Sequence, residues 1–229
     1  MSIYVTEPLD WSQMRVRFLA EFIGTGSIVM AVLGAGFMVS NLSAEPALGL
    51  FMIASAVAGV LFVAISSFAS ISGAHFNPIV TIAFLAHKDI SAKDAGIYFV
   101  AQFMGGLLGA LIANLMFIQT PTISEVGRFS LGSMVGESVA SAGLVLLVLQ
   151  LVYSNKEKLI APAVALWIFA GHIFTSSTAF ANPAVTIGRV FSTAPSSIAV
   201  ESALYFILAQ FIGLGLALLV SARLRKVKK

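Results

Sequence analysis

Apolar residues in this chain gather into six long runs separated by short polar links, at about 17–39, 48–70, 96–118, 133–153, 159–176 and 200–222. A helix needs about 20 residues to cross a hydrocarbon layer, so each run predicts a membrane-spanning helix. The fifth is the shortest. Two further apolar stretches, Val80–Ala86 and Val185–Phe191, are closed by polar or breaker residues. Each follows an Asn-Pro pair, in Asn77-Pro78-Ile79 and Asn182-Pro183-Ala184. Asparagine is a strong N-cap, and proline suits the first helical position, where its missing N–H is no loss. Helices of about 8–10 residues rise some 12–15 Å, half of a hydrocarbon core. The pattern predicts two half-helices that enter the membrane and stop inside it. Irregular backbone at that depth is tolerated only where it is buried in protein or lines a water-filled cavity.

The same landmarks occur twice in the same order. The first half reads R-F-L-A-E-F-I-G-T-G at Arg17–Gly26, S-G-A-H-F-N-P-I-V-T-I at Ser72–Ile82 and A-Q-F-M-G-G at Ala101–Gly106. The second reads G-E-S-V-A-S-A-G at Gly136–Gly143, T-A-F-A-N-P-A-V-T-I at Thr178–Ile187 and A-Q-F-I-G-L at Ala209–Leu214. Chance similarity between apolar helices explains matched Ala, Leu and Gly, but not Glu, Asn-Pro and Gln in register. Three spans per half is an odd number, so the second copy enters from the opposite side. The expectation is one domain over 1–229, built from an inverted repeat of about 15–118 and 130–223. Such repeats place their functional site at the repeat interface near the midplane.

Composition narrows the class. The chain is 59% hydrophobic and 10% charged, against roughly 25% charged residues in soluble domains. Short links leave no room for a soluble catalytic domain. Cysteine is absent, which removes disulfides, thiolate metal sites and a cysteine nucleophile. With three His and membrane carboxylates limited mainly to Glu21 and Glu137, no acid, base or metal cluster is visible; an enzyme, a metal and a cofactor are not expected. The first run is too long for a signal peptide and is kept as a span. The net charge of +3 is no nucleic-acid signal; its placement is what informs. Arg15, Arg17, Lys88, Lys93, Lys156, Lys158, Arg223, Arg225, Lys226, Lys228 and Lys229 all fall on one side of a six-span arrangement. The positive-inside rule puts that side, with both termini, in the cytoplasm.

Two half-helices entering from opposite faces would meet at the midplane, each N-terminus projecting roughly +0.5 of an elementary charge. Each Asn can cap its own helix through the side-chain oxygen and leave its NH2 for the cavity. Two donors on a positive background would bind the oxygen of a passing neutral molecule and oppose cations and proton relay. These boxes, S-G-A-H-F-N-P before the first, and the repeated Glu and Ala-Gln-Phe resemble the aquaporin (major intrinsic protein) family over about residues 15–223. The resemblance implies an all-α membrane protein. Its fold would be a right-handed bundle of six transmembrane helices with two re-entrant half-helices, a pore in each subunit, and a homotetramer in the lipid bilayer.

The resemblance assigns further roles residue by residue. Glu21 and Glu137 match buried glutamates that accept backbone N–H groups of the pore loops; snorkelling to the interface is the other reading. Gln102, Gln210, Gly105 and Gly109 match helix-contact positions. His75 matches an inner-vestibule position, and His87 reads as a solvated cytoplasmic end. Counting by the family's usual spacing puts the selectivity filter at Val57, Ala170, Ala179 and Val185. Val185 departs from the family, most members carrying arginine there. Arg189 follows one turn later and is not assumed to replace it. His172 either faces the pore or bonds a backbone carbonyl. Ile79, where most members have Ala, either packs against the neighbouring half-helix or narrows the midplane.

A ring without aromatic, histidine or cation is expected to be wide and apolar. That implies passive permeation of water and small neutral solutes, favouring glycerol-like molecules or metalloid hydroxides such as arsenite. A water-selective channel and a poorly conducting structural member of the family are the alternatives.

Overall fold

The computed structural model describes residues 11–226. Lys228 and Lys229, two of the charges counted above, lie outside them. Eight α-helices occur among the described residues: α1 (Trp11–Asn41), α2 (Pro46–Ser72), α3 (Pro78–Ala86), α4 (Ala92–Met116), α5 (Leu131–Tyr153), α6 (Ile160–Phe174), α7 (Pro183–Gly188) and α8 (Val200–Lys226). A single 3-10 turn, Glu157–Leu159, leads into α6. Helices α1, α2, α4, α5, α8 and the 3-10 turn continued by α6 are long and apolar enough to cross a membrane. We call the side where α1 begins and α8 ends the near side, and the opposite one the far side.

The two short helices are α3 and α7, and both start as the sequence dictates. Asn77 Oδ1 accepts the Ile79 N–H at 3.1 Å, and Asn182 Oδ1 accepts the N–H groups of Ala184 and Val185 at 3.0 and 3.2 Å. Pro78 and Pro183 occupy the first helical positions. Helix α7 is shorter than the apolar stretch that predicted it. It ends at Gly188, and the chain turns through Arg189–Phe191 with bonds to the Ile187 and Gly188 carbonyls.

Close helix packing in lipid relies on small residues, since apolar burial offers little gain between helices there. The main contacts are α1 on α4 and α5 on α8. A Cβ on Gly109 would stand 2.1 Å from the Gly26 carbonyl oxygen, and one on Gly105 would stand 2.2 Å from that of Phe22. In the other pair, a Cβ on Gly213 would stand 2.5 Å from the Ser138 oxygen. These backbones touch. The outward faces carry exposed Leu19, Ile23, Leu107, Leu111, Leu208 and Leu219, an apolar coat of an extent that soluble proteins avoid.

His87 does not end in open solvent. It is partly buried, its Nδ1 bonded by Arg225 Nη1 at 2.9 Å, with its ring edge-on to Tyr153. The end of α3 is thereby tied to the end of α8.

A contrast of glycines checks the packing. Gly109→Leu should abolish recovery of monodisperse folded protein in detergent. Gly59→Ala, with nothing within 4 Å of the added carbon, should stabilise by about 0.5–1 kcal/mol through helix propensity. Equal thermal unfolding temperatures for the two variants would contradict the contact.

Candidate functional site

The site is assembled from two irregular segments, each running into a half-helix. Several non-glycine residues in them hold left-handed backbone: Ala74 (φ 51°) and Phe76 (φ 50°) in the first, Thr178 (φ 62°), Ala179 (φ 47°) and Ala181 (φ 47°) in the second. Each such residue costs on the order of 1–3 kcal/mol and persists only when its surroundings over-determine it.

Glu21 and Glu137 supply that constraint. Both are 0% exposed, so neither snorkels. Glu21 accepts the His75 N–H at 2.9 Å, the Phe76 N–H at 2.6 Å, the Ser72 hydroxyl at 2.6 Å and Gln102 Nε2 at 2.8 Å. Glu137 accepts the Phe180 N–H at 2.8 Å, the Ala181 N–H at 2.9 Å and Gln210 Nε2 at 2.7 Å. Gln102 and Gln210 extend each circuit to the half-helix itself, through Thr81 Oγ1 at 3.0 Å and Thr186 Oγ1 at 2.9 Å. The glutamines are therefore loop supports as well as helix contacts.

The two halves are stitched at the centre. Asn77 Nδ2 donates to the Ala181 carbonyl at 2.7 Å, and Asn182 Nδ2 donates to the Phe76 carbonyl at 2.8 Å. A carboxamide has two N–H donors. One per asparagine is used across the interface, not both left for the cavity as the sequence suggested, so one remains on each. Asn77 and Asn182 line one cavity that runs from Glu157 and Ile160 near one end to Arg189 at the other.

Of the other expected site residues, His75, Val57, Ala179 and Val185 also line this cavity. Two expected residues do not. Ala170 is exposed on the outer surface of α6, and the cavity face carries Ile160, Val164, Ile168 and His172 instead. Those positions recur every four residues, one helical face, whereas Ala170 sits two residues off it and points about 200° away. The fixed count back from Asn182 fails because it crosses the non-helical link 175–181. Ile79 is fully buried in the apolar core, while Val80 takes the cavity wall.

His172 satisfies both readings left open for it. It lines the cavity, and its Nδ1 lies 2.8 Å from the Ile168 carbonyl. A carbonyl only accepts, so Nδ1 carries the proton. Nε2 is buried with no partner among the described residues, and in the neutral ring it is an acceptor.

Three contributors escaped the sequence reading. The carbonyls of Phe76 and Ala181 carry no side-chain signal. Phe180 drew no separate reading from the sequence, yet it lines the cavity beneath the Arg189 guanidinium, 3.3 Å from its ring centroid. Arg189 is 3% exposed, and its Nε donates to the Ser196 carbonyl at 2.7 Å. Its four-residue spacing from Val185 was the available clue. Among the described residues no group of His, Asp and Glu is placed to hold a metal ion.

The carboxylate brace can be tested by changing one atom. Glu137→Gln keeps the shape but sets an NH2 against a buried backbone N–H. An unsatisfied buried donor costs about 1–3 kcal/mol, so thermal unfolding should shift downward by that amount. An unchanged transition would contradict the role given to Glu137.

Comparison with known proteins agrees with this geometry. The family described as Major intrinsic protein matches residues 9–176. The chain is 36% identical over 198 residues to Aquaglyceroporin AqpS of Rhizobium meliloti (strain 1021), covering 86% of this chain and 84% of that protein. It is 36% identical over 192 residues to Aquaporin TIP1-2 of Zea mays, covering 76% and 74%. Among solved structures, the aquaglyceroporin from Plasmodium falciparum superposes with a TM-score of 0.70 over 92% of this chain and 94% of that one. At 19% identity, that likeness speaks for the fold alone. With six apolar spans, two capped half-helices and relatives of this extent, the chain belongs to the major intrinsic protein family of membrane channels.

Proposed function

We propose that this channel passes small neutral solutes, and that Val57, His172, Ala179 and Val185 form its selecting ring toward the far side. The observation that carries the reading is Val185. It lines the cavity in the first turn after the Asn182 cap, where the family resemblance expects a long cation. Val57, Ala179 and Val185 contribute only apolar side chains to the ring. His172 adds one acceptor, which suits a solute bearing O–H groups. Rings of few polar groups favour molecules that need little hydration replaced. Glycerol-like molecules and undissociated metalloid hydroxides are the uncharged solutes that the family resemblance suggests for such a ring, and a relative carries the name aquaglyceroporin.

The remaining N–H of Asn77 and of Asn182 gives a transiting oxygen two donors at the midplane, with His75 on the near-side wall. We place the near side in the cytoplasm, since Arg15, Arg17, Lys88, Lys93, Lys156, Lys158, Arg223 and Arg225 border it. The family resemblance supports a homotetramer of such pores in the cell membrane. A second reading, a water-selective pore, is favoured by His172, because an imidazole in the ring narrows it and adds a polar group.

Proteoliposome swelling in water, glycerol, urea and arsenite separates the two. Val185→Arg should reduce glycerol flux by about tenfold, an added barrier of about 1.4 kcal/mol, and reduce water flux less. His172→Ala should raise the glycerol-to-water ratio. If neither variant moves that ratio, the ring has been assigned to the wrong residues.

A further inference from the structure

Resting on the channel reading, we propose that Arg189 sets the charge selectivity of this pore from one turn beyond the ring, so that size and charge are sorted at separate levels. The residue directly after Asn182-Pro183-Ala184 is the neutral Val185. Arg189 continues the same helical path: its N–H donates to the Val185 carbonyl at 3.0 Å, and both residues line the cavity. An i, i+4 step keeps the same face and advances about 6 Å along the axis. Arg189 thus follows Val185 along the cavity wall toward the far side, its guanidinium resting on the Phe180 ring.

Its position is fixed without being neutralised. Nε and Nη2 both donate to the Ser196 carbonyl, and the plane rests on Phe180. The Ile198 N–H donates to the Arg189 carbonyl at 3.3 Å and closes the loop around it. A second guanidinium, Arg128 from the link before α5, reaches the same ring at 5.6 Å and is held by the carbonyls of Ser197 and Pro195. Carbonyls and an aromatic face solvate a cation but leave its charge in place. Glu137 is committed to the Phe180 and Ala181 N–H groups and to Gln210 Nε2 behind the wall.

The mouth therefore presents positive charge to anything approaching the ring. Cations are repelled there, while a neutral solute is not. Because Phe180 and Ser196 hold the guanidinium back, the ring at Val57, His172, Ala179 and Val185 keeps the width that an arginine at 185 would occupy.

The test reconstitutes the full chain and measures glycerol swelling beside the leak of protons and K+. Arg189→Gln keeps a donor for the Ser196 carbonyl and removes the charge; Arg189→Lys keeps the charge. The ratio of cation leak to glycerol swelling should rise at least tenfold in Arg189→Gln and stay within about threefold of the parent in Arg189→Lys. A ratio unchanged in Arg189→Gln, or raised equally in both, overturns the proposal and leaves Arg189 a packing pin. Dilution potentials on the parent protein supply a variant-free check. Residual ion leak should favour anions over cations by tenfold or more, and a cation-favouring leak overturns the proposal. A parent that gives neither glycerol nor water swelling refutes the channel reading instead.

Discussion

Two reciprocal hydrogen bonds hold this structure's centre: the Asn77 carboxamide on the Ala181 carbonyl, and that of Asn182 on the Phe76 carbonyl. Half-helices that stop inside a bilayer leave polar backbone where water is scarce. Each asparagine meets that constraint three ways. Its oxygen caps its own helix, one N–H joins the other half, and one N–H is left for the cavity. Removing either side chain would break one of the two cross-links and uncap its own half-helix.

The rest of the fold keeps those bonds in place. Left-handed backbone at Phe76 and Ala181 turns the acceptor carbonyls inward, and the buried carboxylates of Glu21 and Glu137 hold the N–H groups of the same residues. A charge in a membrane interior is costly unless partnered, and here its partners are strained loop amides that would otherwise be orphaned. Two unfavourable features offset one another. Glycine contacts between α1 and α4, and between α5 and α8, bring the helices close enough for those carboxylates to reach.

Much of this was legible because it follows local rules. Asn-Pro before a short apolar stretch announces a capped half-helix, long apolar runs announce spans, and the paired Glu and Gln stand at matching places in both halves. What was not legible depended on rotation or on main chain. Ala170 was placed by counting through a non-helical link, which carries no helical phase; the four-residue stripe Ile160, Val164, Ile168 and His172 identifies the cavity face without any count. Ile79 and Val80 are adjacent and equally apolar, so only the packed helix decides which is core and which is wall. Phe180 reads as an ordinary apolar residue until the Arg189 guanidinium is seen lying on it.

The central acceptors being peptide oxygens has a consequence for how such chains diverge. Phe76 and Ala181 perform the same task in the two halves with side chains that have nothing in common, since the task is carried by atoms every residue owns. Drift at these two positions is invisible to the bond they make, and is limited by the left-handed backbone that both hold and by neighbours such as Gly24, whose bare α-carbon makes room for the Phe76 ring. Symmetry between the halves can thus fade from the genetic record at its most critical point while surviving intact in three dimensions.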